Sequence, residues 1–282
     1  MDRLQNMTIE KPLVLEDLKD VEWSATADVI VVGQGGAGLC AALEARAHGA
    51  TVLAIDRFGG GGATAYSGGI FYAGDTRYQK EAGISDSKEE MYKYREIELE
   101  TAIKPSTLRR YCDSNSADID WLASHGVPFG GAACLEKAAY PPEDKFLYYS
   151  GNENVAGYRE KAMPAPRCHR TVGTGFSGHA YYAALSQAAD KAGVERMMHT
   201  RAVRLVTDRA GAVIGIEVMR IEDGDSGRPC PLCEAGKSHE AVQCRSCRKS
   251  HCAGSGTRGG TWSTSPAPGD ARGHSRGRRF HL

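Results

Sequence analysis

The sequence lacks an excess of charge of either sign, since 35 Lys and Arg residues balance 35 Asp and Glu residues. This balance argues against a partner recognised by bulk electrostatics, such as nucleic acid or an anionic membrane surface. The sequence also lacks any apolar run near the ~18 residues of a membrane-spanning helix. Charged side chains occur throughout residues 1–27, which argues against a secretory signal. These absences predict a cytoplasmic protein with no nucleic-acid partner and no membrane span.

Residues 222–282 lack the apolar side chains from which a core is built. They include ten Gly, eight Arg, eight Ser and five Cys, but only four residues that are Leu, Ile, Val, Met or Phe. Burial of so few apolar groups does not offset an ordering entropy of roughly 1–2 kcal/mol per residue. The segment is therefore predicted to be disordered. It is also predicted to be translated out of frame, as an alternative to a genuine tail, because a GC-rich gene read in a shifted frame yields this composition.

A zinc-binding module is the alternative for the same segment. Its candidate ligands are two Cys-x-x-Cys pairs together with a histidine and a cysteine close behind the second pair: Cys230, Cys233, Cys244, Cys247, His251 and Cys252. Thiolate pairs at this spacing hold a tetrahedral metal, and metal binding folds some small modules. The ten residues between the pairs are fewer than in the common pattern, so no metal site is assigned. Metal analysis of the purified segment separates the two cases, since only the module would retain stoichiometric zinc.

A strand, a glycine-rich turn and a helix are predicted close to the start of the chain. Residues Val29–Val32 form a continuous β-branched run, which is typical of a strand buried on both faces of a parallel sheet. A Gly-x-Gly-x-x-Gly motif follows, and then a helical stretch over 39–48 with Gly49 as its C-terminal stop. A second strand over 51–55 ends on Asp56. This order predicts a Rossmann-like βαβ unit within an α/β fold.

Each part of this unit suits the binding of a dinucleotide. Gly33 permits a tight turn, Gly35 lets the backbone approach a diphosphate, and Gly38 lets the helix pack close to the strand. The helix start offers N–H groups and a positive dipole end to the phosphates. Asp56 is placed to accept hydrogen bonds from a ribose diol. The predicted cofactor-binding residues of the unit are Gly33, Gly35, Gly36, Ala37, Gly38, Asp56 and Arg57.

A second glycine-dense segment over 59–74 distinguishes FAD from a nicotinamide cofactor. An NAD-binding unit needs a second helix at this point, whereas a glycine-rich loop can lay its backbone and hydroxyls along a longer ligand. The apolar continuation 70–72 indicates that the loop is packed. The predicted cofactor-binding residues of this loop are Gly62, Ala63, Thr64, Ser67, Gly68 and Gly69.

Residues 28–74 resemble the FAD-binding start of the fumarate reductase and succinate dehydrogenase flavoprotein superfamily. The run 63–69, Ala-Thr-Ala-Tyr-Ser-Gly-Gly, is most similar to the 3-ketosteroid dehydrogenase branch, and the resemblance continues to near Arg220. It implies a Rossmann-like FAD-binding domain with a parallel sheet, an incomplete capping domain and a disordered C-terminal tail. The predicted organisation is a polar leader over 1–27, a partial FAD-binding domain over 28–221 and the tail over 222–282.

The resemblance implies FAD-dependent dehydrogenation of a CH–CH bond next to a ketone. A base removes the proton beside the carbonyl while the flavin takes hydride from the adjacent carbon, and hydrogen bonds to the ketone oxygen stabilise the enolate. In this branch the base is generally a tyrosine, whose pKa of ~10 must be lowered by its surroundings. None of the twelve tyrosines is assigned that role. The implied substrate is a steroid ketone or another carbonyl compound, with no electron acceptor assigned.

Two alternatives accompany this activity. A fumarate reductase-like flavoprotein would need an arginine pair to clamp a dicarboxylate. Because members of the superfamily are longer than this chain, an inactive, truncated fragment is the other expectation. His169 and Arg170, which precede a glycine-rich helix start, are candidates for contact with the cofactor or with a carboxylate.

Overall fold

The computed structural model describes residues 10–149, 151–220 and 278–281, with the backbone alone for Leu18 and for 278–281. These residues divide into two compact units. Unit 1 comprises the described residues up to Gly33, Ala50–Gly60 and those from Glu195 onward, and unit 2 comprises Gln34–Gly49 and Gly61–Val194. The predicted βαβ unit is therefore shared, with its strands in unit 1 and its helix in unit 2.

Strands and helices are mixed along the described residues, as the predicted α/β class requires. The strands are β1 (Leu13–Val14), β2 (Val29–Val32), β3 (Val52–Ile55), β4 (Ile70–Tyr72), β5 (Ala133–Cys134), β6 (Leu147–Tyr148), β7 (Cys168–Arg170), β8 (Glu195–Met197), β9 (Thr200–Thr207), β10 (Val213–Arg220) and β11 (Arg278–His281). The α-helices are α1 (Gly36–Ala47), α2 (Gly62–Tyr66), α3 (Arg77–Glu81), α4 (Lys88–Leu99), α5 (Pro105–Ser124), α6 (Ala156–Arg159) and α7 (Gly178–Lys191). Within this part of the chain, no helix has the length and apolar character needed to cross a bilayer.

Unit 1 contains a parallel sheet of order β2-β3-β8, in which β2 is an edge strand. Val29 pairs with Val52 and Val32 with Ile55, which confirms the two adjacent parallel strands predicted from the sequence. All four residues of β3 are buried, whereas Val32 of β2 is 59% exposed. The prediction that β2 is buried on both faces was wrong, because β-branched composition does not tell which strand lies at the edge of a sheet.

A second sheet in unit 1 has the order β1-β9-β10-β11. Strands β9 and β10 form an antiparallel hairpin. Part of the predicted polar leader joins this sheet as β1. The next residue, Leu15, is buried, and its N–H donates to the Thr207 carbonyl at 2.9 Å. Apolar residues of β3 and β10 form one core cluster, namely Leu53, Ile55, Ile216 and Val218.

The segment 222–282 is placed in the structure only over residues 278–281. There β11 pairs antiparallel with β10, with Arg220 opposite Arg278. The rest of the predicted tail and all of its candidate zinc ligands lie outside the described residues.

Unit 2 is built from helices and a small sheet of order β4-β7-β6-β5. Its two long helices are α4 and α5, of 12 and 20 residues. Ser87 caps α4 by accepting a hydrogen bond from the N–H of Glu90 at 3.1 Å. Pro105 is the first residue of α5, a position where its missing N–H costs no hydrogen bond.

The interior of unit 2 contains ionisable side chains. Asp86 and Arg167 are fully buried and form a two-pronged ion pair, with distances of 2.9 Å from Nε and 2.6 Å from Nη2. His169 of β7 is also fully buried. Its Nδ1 donates to the Arg167 carbonyl at 2.9 Å, so Nε2 accepts from the Thr76 hydroxyl at 2.7 Å. Both nitrogens are satisfied by a neutral ring, and burial lowers the pKa of His169 to about 4.

The stability of unit 2 should therefore fall in mild acid. The unfolded chain binds a proton at His169 near its ordinary pKa of 6.5, whereas the folded chain does so only near 4, so stability is lost as the pH falls through this window. Between pH 7 and pH 5 the wild-type chain should lose about 2 kcal/mol more unfolding free energy than His169→Gln. Urea unfolding at both pH values measures this difference, with exposed His48→Gln as the control. Equal pH dependence in all three proteins would contradict a buried neutral His169.

Candidate functional site

The carboxyl ends of β2 and β3 carry two of the predicted cofactor residues in unit 1. Gly33 directly follows β2, has φ +98°, and donates its N–H to the carbonyl of Ile55 at 2.8 Å. A residue with a side chain rarely adopts this conformation, which explains the glycine at the turn. Gly33 and Asp56 thus both lie at the carboxyl ends of the parallel strands, where ligands bind in open α/β folds.

The carboxylate of Asp56 is held in place at this edge. The Asp56 N–H donates to the Met197 carbonyl at 2.9 Å, and the Asp56 carbonyl accepts from Thr200 N–H at 2.7 Å. Its Oδ1 accepts from the N–H of Phe58 at 2.8 Å. The neighbouring Arg57 is exposed, with its guanidinium 5.3 Å from the centre of the Phe58 ring. The acidic side chain is therefore ordered, whereas Arg57 stacks on a neighbouring surface residue.

The remaining predicted residues lie in unit 2, where the first group forms the start of α1. Gly35 precedes the helix in an extended conformation and provides no side-chain cap. The N–H of Gly36 donates to Thr64 Oγ1 at 2.9 Å, and the N–H of Gly61 donates to the Gln34 carbonyl at 3.0 Å. These two hydrogen bonds join the two glycine-rich segments. The sequence analysis assigns residues of both segments to one cofactor site.

Gly35 leaves room for a ligand at the start of α1. A Cβ on Gly35 would have its nearest neighbour at 3.7 Å, and its φ of −85° suits any residue, so nothing within the chain requires a glycine here. By contrast, a Cβ on Gly36 would lie 3.0 Å from Thr64 Oγ1. Gly35 is half-buried and Ala37 is exposed, so the first turn is accessible. The diphosphate of a dinucleotide needs close access to backbone N–H groups and a positive helix end, as at the start of a helix.

The second glycine-rich segment folds differently from the expected loop. Gly60, Gly61 and Gly62 have consecutive positive φ values of +79°, +85° and +49°. The chain then forms the short helix α2, which the sequence analysis did not predict because glycine and β-branched residues disfavour helices. Gly62 and Ala63 are exposed on its first turn.

The hydroxyl groups of this segment bind the chain itself. Thr64 Oγ1 accepts from Gly36, while Ser67 Oγ donates to the Thr64 carbonyl at 2.9 Å and accepts from Gly69 N–H at 3.1 Å. Thr64 and Ser67 therefore shape the backbone around the predicted site, whereas the sequence analysis expected them to face the ligand.

Gly68 and Gly69 pack against the start of α7. A Cβ on Gly69 would lie 2.7 Å from the carbonyl carbon of Ser177, and one on Gly68 would lie 3.0 Å from the Tyr140 ring. Gly178 also lacks room for a side chain beside the Ser67 carbonyl, to which its N–H donates at 3.1 Å. Sequence analysis missed the roles of Tyr140 and Gly178, although the glycine-rich start of α7 was a signal for close packing there.

His169 and Arg170 have their described partners within unit 2. His169 bonds Thr76 and a backbone carbonyl in the core of this unit, as described above. Arg170 is fully buried and donates to Tyr140 and to backbone carbonyls. Contact of these side chains with a cofactor stays a prediction.

Burial raises the pKa of six tyrosines among the described residues, Tyr72, Tyr94, Tyr111, Tyr148, Tyr149 and Tyr181. A tyrosine base needs the opposite change. The same part of the chain has no cluster of three His, Cys, Asp or Glu side chains able to hold a metal ion. No catalytic residue is assigned.

A groove of about 570 Å³ lies at the other end of α1. It is lined by the last turns of three helices, including Arg46, Lys191 and His125 just after α5. Helix α1 has 12 residues and a length of ~18 Å, so this groove is separate from the space beside Gly35.

The close approach of Gly69 to α7 predicts a large cost for a methyl group at that position. Gly69→Ala should lose far more unfolding free energy than Gly49→Ala. Both residues have positive φ, but Gly49 has no atom within 4 Å of a new Cβ. Gly49→Ala should cost only the left-handed strain of about 1–2 kcal/mol. Chemical denaturation measures both variants, and equal losses would show that the packing at Ser177 is looser than described.

Comparison with known proteins identifies the family. A family model described as FAD binding domain matches residues 28–242. This match runs past residue 221, so the predicted domain boundary stays a prediction. The 3-oxo-5-alpha-steroid 4-dehydrogenase of Comamonas testosteroni is 40% identical over 210 residues, covering 73% of this chain and 40% of that protein.

Solved structures with the same fold agree. The 3-ketosteroid-delta4-(5alpha)-dehydrogenase from Rhodococcus jostii RHA1, in complex with 4-androstene-3,17-dione, has a TM-score of 0.69 and 37% identity over 74% of this chain and 44% of its own. The open conformation of a flavocytochrome c3 fumarate reductase has a TM-score of 0.57 and 26% identity over 70% and 31%.

The chain spans less than half the length of each of these proteins. The family model, however, matches most of the chain, and its residues include both glycine-rich segments described above. The chain therefore belongs to the FAD-binding flavoproteins, the family shared by the 3-ketosteroid dehydrogenases and the fumarate reductases.

Proposed function

We propose that the start of α1 binds the diphosphate of FAD, and the observation that carries this proposal is the room beside Gly35. Gly35 has no protein atom within 3.7 Å of a Cβ position, although glycine is not needed there for backbone conformation. First-turn N–H groups of a helix lack partners within the helix and carry its positive dipole end, so they suit a diphosphate. In unit 1, Asp56 suits the ribose hydroxyls, because its carboxylate is ordered at the end of β3.

The second glycine-rich segment supplies backbone surface for the rest of the cofactor. Gly62, Ala63 and Ser67 are exposed, so N–H and carbonyl groups there can be reached by an extended ligand. Thr64 fixes this segment to the start of α1. The role of these residues is to bind and orient, and the chain contributes no assigned proton-transfer group.

We propose that the reaction served by this chain is the dehydrogenation of a 3-ketosteroid next to its ketone. FAD, when bound, supplies the hydride acceptor for such a reaction. Support comes from the Comamonas testosteroni relative, which is a 3-oxo-5-alpha-steroid 4-dehydrogenase at 40% identity. The Rhodococcus jostii neighbour, which holds 4-androstene-3,17-dione, points to the same substrate class. A saturated 3-ketosteroid is the expected substrate.

A fumarate reductase-like activity is the second candidate. It is favoured by the TM-score of 0.57 to the flavocytochrome c3 enzyme and by a 40% identical stretch of 101 residues in the NADH:fumarate oxidoreductase of Klebsiella pneumoniae. Fumarate reductase-like activity is placed second because the flavocytochrome c3 enzyme has a lower identity to this chain and a lower TM-score than the ketosteroid enzyme.

A reducing compartment such as the cytoplasm is proposed for the protein. The cysteines of the described residues, Cys40, Cys112, Cys134 and Cys168, form no disulfide bond, as is usual where thiols are kept reduced.

Gly35→Ala should weaken FAD binding without loss of stability. The new methyl group makes no clash within the chain but occupies the space proposed for the diphosphate. Titration of the full chain with FAD, followed by flavin fluorescence, should show binding that is weaker by about tenfold or more. Gly157→Ala is the matched control, since a Cβ on Gly157 has no neighbour within 4 Å and the residue lies on α6, away from the glycine-rich segments. Wild-type affinity in Gly35→Ala would contradict the proposed diphosphate position.

The two candidate reactions are separated by assays on the flavin-loaded chain. A dehydrogenase should reduce an artificial dye when given a saturated 3-ketosteroid, whereas a fumarate reductase should oxidise a reduced dye when given fumarate. We expect the first reaction. Fumarate-dependent oxidation alone would favour the second candidate, and absence of both would contradict the assignment of either activity to this chain.

A further inference from the structure

The hydroxyl of Tyr140 lies at the centre of a hydrogen-bond network in unit 2. It accepts from Arg170 Nε at 2.8 Å and from the N–H of Ser177 at 3.2 Å. Its own proton is directed at the carbonyl oxygens of Gly68 and Gly175, each 2.9 Å away. One donor and two acceptor positions are all that a tyrosine hydroxyl has, so its capacity is fully used.

Arg170 extends the same network to the surrounding loops. Nη1 donates to the carbonyls of Pro142 and Glu143 at 3.2 and 3.1 Å, and Nη2 donates to those of Gly173 and Gly175 at 2.6 and 3.1 Å. The side chain is fully buried, and its described partners are a hydroxyl and neutral carbonyl oxygens. A planar guanidinium with five fixed donors can hold several loops at once, which an ammonium group cannot do.

The object held by this network is the second glycine-rich segment. Tyr140 bonds the Gly68 carbonyl and its ring bounds the Gly68 backbone, while Ser177 Oγ donates to the same carbonyl at 3.2 Å. The neighbouring Gly69 carbonyl accepts from both the N–H and the hydroxyl of Thr171 at 2.8 Å. Two glycines that would otherwise be conformationally free are thereby fixed by their carbonyls.

We propose that Tyr140 and Arg170 are positioning residues for flavin binding, acting through the backbone of Gly68 and Gly69 without touching the ligand. This inference rests on the proposed binding of FAD by that segment. A loop that is ordered before binding does not lose its conformational freedom when the ligand arrives, so its affinity is higher. Removal of the Tyr140 hydroxyl leaves the buried Arg170 Nε and Ser177 N–H without that acceptor, which loosens the segment.

Tyr140→Phe in the full chain tests the proposal, because it removes only the hydroxyl and keeps the ring. FAD titration should show binding weaker by about tenfold, the effect of one lost hydrogen bond to a charged group. Amide hydrogen exchange over residues 67–69 without FAD should be faster than in the wild type. The matched control is Tyr148→Phe, since the Tyr148 hydroxyl is buried and has no hydrogen-bond partner among the described residues. That control should keep wild-type affinity and exchange.

Arg170→Lys provides the second variant, because lysine keeps the charge but cannot reach the same set of carbonyls. It should also increase exchange over 67–69. Wild-type exchange in Tyr140→Phe, or equal changes in Tyr148→Phe, would overturn the positioning role. Failure of the wild-type chain to bind FAD would overturn the proposed function alone, because the exchange measurement without ligand still reports whether Tyr140 orders the segment.

Discussion

The site in unit 2 depends on the close backbone approach between Gly69 and the start of α7. A Cβ on Gly69 would lie 2.7 Å from the Ser177 carbonyl carbon, so this contact exists only because the position has no side chain. The approach allows Ser67 to accept the N–H of Gly178 and fixes the end of α2. Thr64 of α2 in turn binds the N–H of Gly36. The start of α1 is therefore positioned through Thr64, 28 residues after Gly36, and through packing that involves residues still further along the chain.

The βαβ unit was predictable from the sequence because its signals are local. The strand Val29–Val32, the turn at Gly33 and the stop at Gly49 each follow from residues within a few positions, and the structure confirms all three. The helix starting at Pro105 was predictable for the same reason. Burial was not predictable at this level. Val31 is buried and Val32 is exposed in the same strand, and this difference depends on which residues, far apart in sequence, pack on each face of the sheet.

The details of the second glycine-rich segment required the structure. Composition indicated a loop with hydroxyls for a ligand, but α2 forms there and both hydroxyls bind the backbone. The same limit applies to Arg170. A sequence shows an arginine beside a glycine-rich turn, whereas its environment of carbonyl oxygens and one tyrosine hydroxyl comes from two separate segments, 140–143 and 173–175. Side-chain direction at such positions is set by tertiary packing, for which a single sequence carries no local signal.

The position of β2 as an edge strand of its sheet has a consequence for handling the protein. One side of this strand pairs with β3, the other side pairs with no strand among the described residues, and Val32 is exposed. Such an edge strand is a template to which a strand from another molecule can add, and exposed apolar edge strands are sites of aggregation. Among the described strands, Val29–Val32 is therefore a place where a second copy of the chain can add, and these four residues directly precede the first glycine of the Gly-x-Gly-x-x-Gly motif.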